Sequence, residues 1–138
     1  MARLLGIDPG AARCGIAITD SAETMAFPRT ALANDEALIT SLQQLIVDEG
    51  VEAVVVGRPV ALSGNETSST KQADELFHEL VGALGDLSVT QWDERLTTFE
   101  AHRSLSRAGL KAKQHRDHVD SAAAVIMLQN YVDGHHAH

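Results

Sequence analysis

The chain has a single cysteine, Cys14, among its 138 residues. No internal disulfide can form and a thiolate metal site is disfavoured, which suits a reducing compartment. The neighbouring Arg13 could lower the thiol pKa, but a small packed side chain is the simpler reading. No stretch approaches the roughly 18 consecutive apolar residues that cross a bilayer. The opening MARLLGIDPG carries no secretory signal with a cleavage site, so the expectation is a cytoplasmic protein with no membrane partner. Aromatic residues are few: one Trp, one Tyr and three Phe. With so few rings to stack on bases, any contact with nucleic acid is expected to run through backbone and shape. Positive charge is also short, at 11 Lys and Arg against 19 Asp and Glu, a net charge of −8. Phosphate backbones reward positive surface, so the total alone speaks against a nucleic-acid partner. The length suits one ordinary domain and leaves no room for a second large lobe.

The distribution of charge says more than its total. Arg103, Arg107, Lys111, Lys113 and Arg116 fall in one stretch, with His102, His115 and His118 interleaved or flanking and no acid before Asp117. A solvated helix face followed by a polar loop would give the same composition. The position of this basic strip beside Asp117 and Asp120 favours a phosphate track.

Hydrophobic periodicity gives a strand at 4–8 (LLGID) and another at 15–20 (GIAITD), read as a hairpin. Residues 25–32 supply a third strand whose Pro28 suits an edge. Asn34 or Asp35 is expected to cap a helix bearing Leu38, Ile39, Leu42, Leu45 and Ile46, and that helix should stop near Gly50. VEAVVVG at 51–57 reads as a strand covered on both faces. PVALSGNETSST reads as a mobile loop. A helix follows over about 69–84, then a strand at 87–94 ending on two acids, a helix over about 99–108 stopped by Gly109, and a last helix over about 117–132 with an Ala-rich side for close packing. His135, His136 and His138 form a short tail over 135–138 with no ligand spacing met elsewhere. This order predicts an α/β fold: a mixed five-stranded sheet, begun by an antiparallel meander, completed by parallel crossovers and flanked by helices.

Acids stand where these elements end or begin: Asp8, the pair Asp93 and Glu94, Asp117 and Asp120. Each has an ordinary explanation alone, Asp8 as a turn former before Pro9 and Asp117 as a helix N-cap. Together they are harder to dismiss. Two carboxylates about 4 Å apart repel by roughly 4 kcal/mol at an effective dielectric near 20, so gathering several is destabilising unless a cation joins them. Carboxylate oxygens are hard ligands suited to Mg²⁺ or Mn²⁺, and such an ion polarises a phosphoryl oxygen and activates water against a phosphodiester. The pattern points to a metal-dependent nuclease. No rival nucleophile is present, since Ser63 follows no nucleophile elbow and the histidines form no HExxH.

GIDPGAARCGIAITD, GRPVALSG followed by Phe77, DERLTTFEA and DHVDSAAAVIMLQNYV, in that order, resemble the successive motifs of the YqgF (RuvX) family. The resemblance runs from about Leu4 to Val132. It implies a single RNase H-like nuclease domain over 1–134, related to the RuvC-type Holliday junction resolvases, and a cytoplasmic role in maturing the 5′ end of pre-16S rRNA. Carried over position by position, it makes Asp8 the principal metal-binding aspartate and Asp120 the better match on the last helix, with Asp117 as its more variable partner. In DERLTT either Asp93 or Glu94 could serve. Alternation along a strand sends the two to opposite faces, and the choice falls on Glu94. The implied catalytic set is Asp8, Glu94 and Asp120, with Asp117 added for the metal, Mg²⁺ or Mn²⁺. Near the start, AAR stands where the family often has a Lys-Arg pair, which weakens phosphate contact there. Arg13, Arg58 and Arg95 join the basic strip as nucleic-acid-binding candidates, Arg58 alternatively holding the 62–70 loop. An exposed salt bridge is the ordinary alternative for each. Trp92 beside the acids reads as core before it reads as a base-stacking ring.

The expected partner is structured RNA such as pre-rRNA, with branched DNA as the alternative. The state is monomer or homodimer, and junction resolution would require a symmetric dimer. Two other classes stay open. The opening GIDPGAARCG also resembles the phosphate loop of actin-like and sugar-kinase ATPases, although those close two lobes over a nucleotide. A noncatalytic RNA-binding ribosome-assembly module would need only the basic strip.

Overall fold

The computed structural model of the protein describes residues 3–60, 63–94 and 121–136. The first two apolar runs fold back on each other as β1 (Arg3–Asp8) and β2 (Arg13–Thr19), antiparallel, with Leu5 opposite Ile18 and Asp8 opposite Gly15. Their connection needs Gly10, because a Cβ there would lie 2.3 Å from the Arg13 carbonyl oxygen. β3 (Ala26–Ala33) pairs antiparallel with β2 and forms one edge of the sheet. Pro28, which cannot donate to a ladder, sits in this edge strand as expected.

β4 (Val51–Arg58) and β5 (Ser88–Asp93) then add in parallel on the other side of β1, giving the order β3-β2-β1-β4-β5. This is the expected five-stranded mixed sheet. Helices α1 (Leu38–Glu49) and α2 (Ser68–Ala83) cover one face and α3 (Ala122–His136) the other. Alternation divides the side chains between two cores. Leu5, Ile7, Val54 and Val56 pack with Leu42 of α1 and Leu80 of α2, while Leu4, Ala17 and Val55 pack with Val125, Met127 and Leu128 of α3. Burying one such Leu or Ile side chain stabilises the fold by about 1.5–3 kcal/mol. α3 lies close on the sheet because β1 has Gly6 beneath it, where a Cβ would come 2.9 Å from the Leu128 Cβ. No helix among the described residues is long and apolar enough to cross a membrane.

Three local expectations need correction. α1 starts after Ala37 with no side-chain cap, so neither Asn34 nor Asp35 caps it. Asn34 instead holds the β1–β2 turn, donating from Nδ2 to the Gly10 carbonyl (2.7 Å) and from its backbone to that of Ala12 (2.9 Å). Asp35 accepts from the Ala37 amide (2.9 Å), a local turn that competes with helix. The polar stretch 59–70 ends in structure, because Thr67 and Thr70 form a capping box and the buried Thr70 hydroxyl donates to the Pro59 carbonyl. α3 runs on through His136, so His135 and His136 belong to a helix and not to a tail. Gly50 does end α1, in the left-handed conformation that glycine tolerates. The helix expected over 99–108 and the start of the last helix before 121 lie outside the described residues.

One buried hydroxyl joins three elements. The register between β2 and β3 shifts between Cys14 and Ile16, leaving Ile16 opposite Arg29 across an irregular ladder. Ser121, at the entry to α3, stands between them, accepting from the Ile16 amide (2.9 Å) and donating to the Arg29 carbonyl (2.6 Å). Gln129, about two turns along, clamps the start of β3 through the Ala26 amide (2.9 Å) and the Thr24 carbonyl (3.0 Å). Ser121→Ala strands two buried backbone groups and should destabilise the protein by about 1–3 kcal/mol, read as a lower urea midpoint at unchanged m-value.

Candidate functional site

The site follows from strand alternation. On β1, Leu5 and Ile7 face α1 and α2, so Asp8 at the strand end faces α3. On β4, Val54 and Val56 face α1 and α2, and Gly57 therefore faces α3. On β5, Trp92 packs with the α3 core, so Glu94, two residues on, falls on that side and Asp93 on the other. Asp8 and Glu94 meet there, over the carboxyl ends of the parallel strands, where open α/β sheets commonly place ligands.

The two carboxyls share a hydrogen bond. Burial is the main reason that the Glu94 acid is pushed up to about 8, followed by the hydrogen bond to Asp8 and then the charges of Asp8 and Asp93. At neutral pH and without metal Glu94 thus keeps its proton, the usual outcome when an acid is buried beside like charges. Its oxygens are hard donors, and a divalent cation could take the place of that proton. Glu94 rests on Gly57: a Cβ at that position would lie 3.0 Å from the Glu94 Cδ.

The other residues named from the sequence divide three ways. Asp117, Asp120, Arg95, Arg103, Arg107, Lys111, Lys113 and Arg116 lie outside the described residues. Among the described residues no three His, Cys, Asp or Glu cluster as metal ligands, so Asp8 and Glu94 form a pair and not a complete described set. Arg13 is exposed at the start of β2, near the Asp8 turn.

Arg58 turns to the opposite face, where it grips Asp74 through Nε (3.0 Å) and Nη2 (3.2 Å) and reaches Glu66 through Nη2 (3.3 Å). Gln91 donates to the same Asp74 carboxylate (2.7 Å). Hydrogen bonds from Arg58 and then Gln91 hold Asp74 below the usual carboxylate range. This placement fits the loop-holding role of Arg58, since Glu66 belongs to the 63–67 segment, and sets its guanidinium apart from the carboxyl pair.

Cys14 is buried and its thiol is pushed up by that burial, which matches a packed side chain. Trp92 stacks edge-on against Tyr131 at 5.2 Å and donates to Asn130 (3.2 Å), which matches a core role. A cavity of about 370 Å³ opens on the α1 and α2 face, edged by Asp35, Glu36, Glu75 and Glu79. Without a cation, four carboxylates there repel phosphate. Ser121 and Gly57 had no individual role in the sequence reading, and Asn34 was read only as a helix cap. Gly57 did carry a signal, since an isolated glycine inside a β-branched run marks close approach by another group.

The fold is that of the RNase H-like resolvases. It is similar to T. thermophilus RuvC in complex with Holliday junction substrate, with a TM-score of 0.65 at 16% identity, covering 99% of this chain and 97% of that one. Residues 2–134 match the family described as "RuvX: Holliday junction resolvase". A protein of Ruminiclostridium cellulolyticum is 34% identical over 134 residues, 95% of this chain and 94% of its own, and one of Leifsonia xyli subsp. xyli is 40% identical over 135 residues, 96% and 86%. Both bear the name "Putative pre-16S rRNA nuclease". The chain belongs to the RuvX (YqgF) family.

The carboxyl pair makes stability depend on pH in a definite direction. Without metal, Glu94 keeps its proton in the folded state up to about 8, whereas in the unfolded chain it loses it near the ordinary 4.5. Between those values the folded state binds more protons, so this contribution is complete below 4.5 and is lost as pH rises towards 8. In chelator-treated protein the melting temperature should fall from pH 5 to pH 8, and Glu94→Gln should flatten that trend. An unchanged trend in the variant would place its origin elsewhere.

Proposed function

We propose that this protein is a divalent-metal-dependent nuclease that cuts phosphodiester bonds in structured RNA, acting in the bacterial cytoplasm on the 5′ end of pre-16S rRNA. The observation that carries this reading is the half-buried, hydrogen-bonded pair Asp8 and Glu94 above the parallel strand ends. Two acids held in such conflict are a common mark of a functional site, and a divalent cation would relieve their repulsion. Asp8 and Glu94 would hold Mg²⁺ or Mn²⁺ together with Asp120 and, as the more variable ligand, Asp117. When bound, the ion supplies Lewis-acid polarisation of the phosphoryl group and charge stabilisation for the departing oxygen. The protein's part is to present the oxygens at a fixed spacing on a rigid sheet and to bring the nucleic-acid backbone to them. The names of the relatives support RNA as the substrate.

Branched DNA is the second reading, favoured by the description attached to the matching family. Labelled pre-16S rRNA and a four-way DNA junction incubated in parallel, with and without Mg²⁺ or Mn²⁺, separate the two. The RNA should be cut only when metal is present. Asp8→Asn should reduce metal-stimulated cleavage by on the order of 100-fold or more while leaving the fold and most substrate binding in place. Full activity in that variant would remove Asp8 from the chemistry, and wild-type binding without cleavage would favour a noncatalytic RNA-binding module.

The basic strip has its own test. Arg107→Glu combined with Lys111→Glu should weaken RNA binding and shallow its dependence on salt by about 0.7–0.9 units of log–log slope per lost phosphate contact. An unchanged slope would take these residues off the path of the backbone.

A further inference from the structure

Gly57 is the seventh of the eight residues of β4, after three valines in a strand buried between two helical layers. Glycine is a poor choice there, since it packs nothing and carries the most backbone freedom into the fold. Conformation does not require it, because Gly57 is not among the glycines with positive φ. Space does. The three atoms nearest a Cβ at this position all belong to one side chain: Glu94 Cδ at 3.0 Å, Cγ at 3.2 Å and Oε1 at 3.4 Å. By contrast, a Cβ at Gly6 would meet the core residue Leu128, and one at Gly82 would meet nothing.

The ladder explains the contact. Val56 pairs with Ile7 of β1, the residue before Asp8, and Gly57 pairs with Trp92 of β5, two residues before Glu94. Gly57 therefore lies between the strands that deliver the two acids, and Glu94 has to cross over it to reach Asp8.

Resting on the nuclease reading above, we propose that Gly57 is a positioning residue: its bare Cα is the seat that lets the Glu94 carboxyl lie across β4 and meet Asp8. A methyl group at 57 pushes the carboxyl off that seat by a few tenths of an ångström. Metal–ligand distances tolerate only about 0.2 Å, so even this displacement matters. A valine pushes it further. The strand itself accepts both substitutions, since β-branched residues suit a buried parallel strand better than glycine does.

The test reads metal binding directly, as the rise in melting temperature with Mn²⁺ concentration, for the wild type, Gly57→Ala, Gly57→Val, Glu94→Ala and Gly57→Ala combined with Glu94→Ala. Gly57→Ala should raise the Mn²⁺ midpoint by about 10-fold, within the range for loss of a ligand-supporting group. Gly57→Val should match Glu94→Ala. Metal-free stability should be equal to the wild type or higher in both Gly57 variants, and Gly57→Ala should add nothing once Glu94 is gone. Wild-type midpoints in Gly57→Ala and Gly57→Val would overturn the proposal, as would an equal effect of Gly57→Ala with Glu94 already removed. Cleavage assays on the same proteins separate the two claims. If the wild type binds Mn²⁺ with the expected midpoints but cuts neither substrate, the seat stands and the nuclease reading falls. If all Gly57 variants cut like the wild type, the seat falls and the nuclease reading stands. If the wild type does not bind Mn²⁺, both fall.

Discussion

Two acids brought together against their mutual repulsion are the constraint around which this molecule is arranged. Asp8 and Glu94 come from strands separated by β4, and nothing local to either would bring them into contact. The sheet does so, by registering β1 and β5 on either side of β4 and by leaving β4 without a side chain where the two must meet. The strained protonation that results is a property of the apoprotein. It makes the site a poor place for two negative charges.

The same sheet separates opposing electrostatic tasks. The face under α3 carries the carboxyl pair, while the α1 and α2 face carries the Arg58, Asp74, Glu66 and Gln91 network and the acid-edged cavity. A net charge of −8 is awkward for a protein that handles phosphate only if that charge is spread evenly. Here a group of exposed acids, Asp35, Glu36, Glu75 and Glu79, lies behind the sheet from the carboxyl pair.

Much of this was legible in the sequence. Runs of alternating or β-branched residues with period two are a strong signal, so all five strands and their mixed order could be read from the chain. Alternation also puts Glu94 on the side of Trp92, and in the structure its carboxyl lies over Gly57. What was not legible depended on partners far away in the chain. Asn34 looks like a helix cap by residue type, but its amide finds the Gly10 carbonyl across the hairpin, a contact that no local rule anticipates. Ser121 sits in an alanine-rich run and acquires its role from a register shift 105 residues earlier. The last helix continues into histidines that have only modest helix propensity, because a boundary is set by small differences that a residue scale does not resolve.

The hydroxyl of Ser121 has a mechanical meaning beyond its contribution to stability. It ties both strands of the outer hairpin to the residue that leads into α3. Asp120 is its immediate neighbour in the chain. That one side-chain oxygen therefore fixes where the chain enters α3 relative to the sheet's outer rim.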